Sequence, residues 1–150
     1  VHVLVFLTSA MAIGTVGGVT GMNEWLATTI LPATLPSNLY VFALLLAAVA
    51  IIVHMFMGSV IAVMGVLIPS LLIATGDMGV PMIVVALLVY ISIASHYILP
   101  FHHLNMLVGQ GEENGMYTQK ETIRLGVPLT VVVFVLVLVC VLWWKIIGLV

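Results

Sequence analysis

The chain alternates long apolar runs with short clusters of small and polar residues, and the clusters mark where helices begin, break or end. Val3 to Val19 is apolar with embedded Ser9, Ala10, Ala12, Gly14, Gly17 and Gly18. Small side chains let helix backbones approach closely, so residues 1–22 predict a transmembrane helix packed inside a bundle. The character changes at Gly21-Met22-Asn23-Glu24-Trp25. Asn23 suits an N-cap, Glu24 a helix N-terminus and Trp25 the membrane interface. The apolar stretch that follows is too short to span and stops at Pro32. Residues 23–38 therefore read as an interfacial, lateral arm closed by Pro36-Ser37-Asn38.

Leu39 to Met57 can form a helix of about 28 Å, close to the ~30 Å thickness of a bilayer core. His54 and Gly58-Ser59 interrupt it, and Val60 to Leu72 then continues apolar through Gly65 and Pro69. One kinked helix over 39–75 would be about 55 Å long, too long for a bilayer. A re-entrant helical hairpin over 39–75, with its tip near 58–61, fits better.

Residues 80–109 predict a broken transmembrane helix. Met82 to Leu99 is apolar and is followed by Pro100-Phe101-His102-His103-Leu104-Asn105. A proline, two histidines and an asparagine have no use on a lipid-facing span, where each unsatisfied polar group costs several kcal/mol. Such a break persists at membrane depth where it is buried in protein or lines a cavity, as in transporters with discontinuous helices. Residues 110–125 form the one hydrophilic loop, with Glu112, Glu113, Lys120 and Glu121. Residues 126–147 read as a final span ending in Trp143-Trp144-Lys145, an aromatic belt with a snorkelling lysine. Lys120 and Arg124 before this span, against Lys145 after it, place the 110–125 loop on the cytoplasmic side.

Composition agrees. Of the 150 residues, 64% are hydrophobic and 5% charged, and mean hydropathy is +1.40. Soluble domains carry roughly a quarter charged residues. The net charge of −2 and the lack of any basic run argue against a nucleic-acid partner. The lone Cys140 excludes an internal disulfide. Val1 opens inside an apolar run without the signature of a signal peptide, and the chain reads as a piece of a longer polypeptide. The expected class is an all-α membrane protein with a transport function. A membrane-embedded metalloenzyme built on His96, His102 and His103 is the weaker alternative, since no intramembrane carboxylate accompanies five dispersed histidines. A non-catalytic membrane subunit is the other.

The order of helix, lateral arm, hairpin, broken helix and final helix resembles the C-terminal repeat of the divalent anion:sodium symporter family, within the ion transporter superfamily. Ser59 followed by Ala62-Val63-Met64-Gly65-Val66-Leu67-Ile68-Pro69 is similar to that family's Ser-Asn-Thr tip and the apolar run after it. Ala94-Ser95, Leu99-Pro100 and Asn105 are similar to its unwound segment, and Gly126-Val127-Pro128-Leu129 with Trp143 to Leu149 to its last helix. The resemblance implies one half of an inverted-repeat transporter, not an enzyme. It implies secondary active transport of a carboxylate, sulfate or similar anion by an elevator-type movement, coupled to a cation. It further implies an N-terminal half of the same transporter as partner, a homodimer, and residence in the cell (inner) membrane. No cofactor or metal site is expected, with Na+ the ion to consider for coupling.

Two departures redirect the site. Val60-Ile61 stand where the family has an amide and a hydroxyl, and His102-His103-Leu104-Asn105 stand where it has Thr-Pro-Pro-Asn. The anion is therefore expected at Ser59, His102, His103 and Asn105. The coupling cation is expected at Gly58, Ser59, Val60, Pro100 and Asn105, mostly through backbone carbonyls. Imidazole titrates near neutral pH, so transport is expected to strengthen as external pH falls. His54 and His96 are expected to be packing or core hydrogen-bonding residues, and Glu24, Glu112 and Glu113 interfacial or solvated charges.

Overall fold

The computed structural model describes residues 2–150 except 30, 33, 58, 100, 101, 104, 105, 107, 108 and 110–114. Among the described residues six α-helices can be bounded: α1 His2–Val19, α2 Met22–Thr29, α3 Leu39–Met57, α4 Val60–Thr75, α5 Met82–Ala94 and α6 Gln119–Ile146. A 3-10 turn, Gly76–Met78, extends α4, and no strand occurs among the described residues. The protein is all-α. Three helical stretches are long and apolar enough to cross a membrane, Leu39–Met57, Val60–Met78 and Gln119–Ile146.

The core lies where α3 meets α4, α5 and α6. Phe42, Ala43, Leu46, Ala47 and Ala50 of α3 face Val63, Leu67 and Leu71 of α4 and Val84, Val85, Leu88, Val89 and Ile93 of α5. Val137, Val141 and Trp144 of α6 close the cluster. The outer side of α6 leaves Val127, Val131, Val132, Val135, Val139 and Leu142 exposed, an apolar face that suits lipid. Buried hydroxyls are satisfied within their own helices. Ser70, Thr75 and Ser92 each donate to the carbonyl four residues back, at 2.7, 2.7 and 2.6 Å.

α3 stops at Met57 and α4 starts at Val60. Ser59 is extended (φ −139°, ψ 119°), and its hydroxyl accepts from the Ala62 N–H at 3.4 Å as an N-cap. The helical run is thus interrupted between Met57 and Val60. Three expectations are corrected. Asn23 is not an N-cap but lies inside α2, buried beside Gly17 of α1. α5 ends at Ala94 rather than Leu99, leaving Ser95 to Leu99 non-helical. Hydrophilic residues 119–125 belong to α6, because Thr118 and Glu121 form a reciprocal capping box.

At the far end, Lys145 places its ammonium 4.7 Å from the Tyr40 ring centroid, joining the last turn of α6 to the first of α3. Trp143 beside it is exposed, as a belt residue should be, whereas Trp144 is buried.

Candidate functional site

Ser95 to Leu99 owe their irregular path to what surrounds them. The residue before a proline is disfavoured in helical conformation, so the chain loosens ahead of Pro100. The freed carbonyls then find partners on α6. Gln119 donates its amide to the Ile98 carbonyl at 3.0 Å. The Tyr97 carbonyl packs so tightly on Gly126 that a Cβ there would collide with it.

This folded-back segment carries His96, His102 and His103 to the end of α3, where His54 waits on the buried face. The His54 ring stacks on His102 with centroids 4.5 Å apart, and His96 stacks on His102 at 4.8 Å. The Nδ1 atoms of His54 and His96 lie 3.3 Å apart. His103 meets His54 edge-on at 5.7 Å and lies against Tyr97 at 4.4 Å. His54 and His96 are 0% exposed and His102 is 1% exposed. Nδ1 of His102 accepts from the Ile98 and Leu99 N–H groups at 3.4 and 3.3 Å, which ties the ring to the unwound backbone. Nε2 of His54, His96 and His103 is buried without a hydrogen-bond partner.

Four imidazoles thus converge from two elements. Each can donate from one ring nitrogen and accept at the other. With spare Nε2 positions, the cluster is equipped to take up an anion, a proton or a metal ion. A second space, a cavity of about 310 Å³, lies between the break and the start of α6. Tyr97, Met106, Tyr117, Glu121, Thr122 and Leu125 line it. Its charged group is a carboxylate, which repels anions. The imidazole cluster is the better candidate.

Of the residues expected in the site, His102 and His103 are in the cluster. Ser59 caps α4 little more than one helical turn beyond His54, and Val60 is the first residue of that helix. Gly58, Pro100 and Asn105 lie outside the described residues. His54 and His96 were not expected there. For His54 the signal was present: Ala43, Ala47, Ala50 and His54 follow the 4-3-4 spacing of one helical face, and all four are buried. Six residues separate His96 from His102, which on a helix puts them on different faces, but that argument has no force once the helix ends at Ala94.

A chain that is all-helical among the described residues, with apolar outer faces and three helices long and apolar enough to cross a bilayer, is an integral membrane protein. The sequence profile of the sodium:sulfate symporter transmembrane region matches residues 2–150, and the chain belongs to that family. The family is one of symporters, so the domain is a transport domain that works in a lipid bilayer on an anionic substrate. Comparison with curated proteins and with solved structures gives no match.

Proposed function

We propose that the chain is the C-terminal half of a secondary active anion transporter. In this reading α3 and α4 form a re-entrant hairpin whose 58–61 tip faces the broken segment 100–105 across one cavity. A carboxylate, sulfate or similar anion is held by Ser59, His102, His103 and Asn105. A cation, Na+ or H+, couples at Gly58, Ser59, Val60, Pro100 and Asn105. The hairpin and broken helix move together in an elevator-type step against an N-terminal half, within a homodimer in the cell membrane.

The observation that carries this reading is the 4.5 Å stacking of His54 on His102. It joins the end of the hairpin's first helix to the unwound segment, the two breaks that a shared site requires. Anion recognition by imidazole is favoured by charge: the protonated ring attracts the anion, and both protonation states donate a hydrogen bond.

Sulfate stays doubly charged between pH 8 and 6, so any response in that range belongs to the protein. Uptake of radiolabelled sulfate by the full transporter in proteoliposomes is expected to rise as external pH falls from about 8 to 6, because a bound anion raises the pKa of the imidazole that holds it. His102→Gln with His103→Gln is expected to flatten that profile while the protein stays folded. A double variant with the wild-type profile would make both histidines structural.

A further inference from the structure

Beyond the stacking of His54 on His102, the transport reading assigns no task to His54 and His96, yet both are wholly buried and their Nδ1 atoms face each other at 3.3 Å. We propose that His54, His96 and His102 form a binding site for one divalent transition metal ion of the zinc class. The inference does not rest on the transport reading, since metal binding is measured on the resting protein.

Three observations support it. The Nδ1–Nδ1 distance between His54 and His96 is 3.3 Å. A tetrahedral zinc ion with bonds of about 2.0–2.1 Å holds its ligand nitrogens about 3.3 Å apart. One donor nitrogen from each of the three rings lies within 4.8 Å of the other two. The donor set is purely imidazole, which suits zinc, copper and nickel, whereas calcium and magnesium demand oxygen ligands.

The ring geometry also says what must move. His102 is stacked on both neighbours, with interplanar angles of 28° and 29°. Its in-plane lone pairs therefore do not yet converge on the point between His54 and His96. Binding turns the His102 ring about its terminal torsion and gives up the two long bonds from Ile98 and Leu99. A three-histidine site leaves the fourth position for water, an anion or the neighbouring His103.

The test uses the full chain, purified in detergent, stripped of metal and free of any histidine tag. Cobalt(II) titration is expected to produce the visible absorption of a tetrahedral site, saturating at one ion per chain and displaced by zinc. His54→Gln and His96→Gln are each expected to weaken binding at least tenfold, and His2→Gln, at the start of α1, to leave it unchanged. Because a core variant can fail to fold, X-ray absorption on the zinc-loaded wild-type chain gives a second reading, with three imidazoles expected around the metal. An octahedral cobalt spectrum, wild-type affinity in His54→Gln, or a shell of oxygen ligands alone would each overturn the site.

Discussion

Gly126 is a point at which α6 touches non-helical backbone, and only hydrogen on its Cα allows the Tyr97 carbonyl to come so close. A methyl group there must displace backbone rather than a flexible side-chain end. Gly126→Ala is therefore expected to destabilise the protein by about 1–3 kcal/mol, the usual range for overpacking. It should also loosen the segment that carries His96. The check is the midpoint of unfolding in mixed detergent micelles, and a variant as stable as the wild type would remove the close approach from the argument. Residues of this kind are hard to read from sequence. Gly126 looks like any other small residue in a span, because its partner is a carbonyl that exists only where α5 has unwound. His102 and His103 were legible, since two imidazoles beside a proline are costly in lipid. His54 was half legible, visible on the buried stripe of α3 but without any hint of what it would face.

Among the elements, α5 and α6 explain each other by length. α5 has 13 residues and spans about 20 Å, short of a ~30 Å bilayer core. The apolar run continues past Ala94 into the unwound segment that carries His96. α6 has 28 residues and spans about 42 Å, longer than the core needs. Its polar start, 119–125, carries the Gln119 amide that holds Ile98. The start is fixed by Thr118, whose N–H and hydroxyl donate to the Glu121 carboxylate at 2.8 and 2.9 Å. Thr118→Ala is expected to cost about 1 kcal/mol, the usual worth of an N-cap, and to fray the first turn of α6. Amide hydrogen exchange over 119–123 should accelerate, and unchanged protection would remove the cap from the account. The Thr-x-x-Glu signature was in the sequence, but a hydrophilic composition hid it inside an assumed loop.

At the scale of the molecule, the long helices α3, α4 and α6 and the interruption near 58–59 were legible from apolar run length, whereas α5 is shorter than its apolar run. The depth of the tip is a separate question, because two full crossings and a re-entrant pair have the same sequence pattern. Re-entrance places residues 58–61 inside the bilayer, whereas full crossing places them at the far headgroups. A fluorophore on Ile61→Cys, in a Cys140→Ser background, is expected to be quenched most by lipids brominated deep in the acyl chain. The same label at Asn38 should respond to headgroup quenchers. Equal headgroup quenching at both sites would turn the hairpin into two ordinary crossings. The way the helices connect adds one more consequence. Among the described residues, α1 and α2 reach the other helices through α4 alone. α4 is therefore a single seam. Movement of the α1–α2 pair can bear on the spacing of His54, His96 and His102 through that seam and through the stretch after α2 that seats Leu31 in the core, and by no direct contact, which sets the imidazole cluster apart from that flank of the molecule.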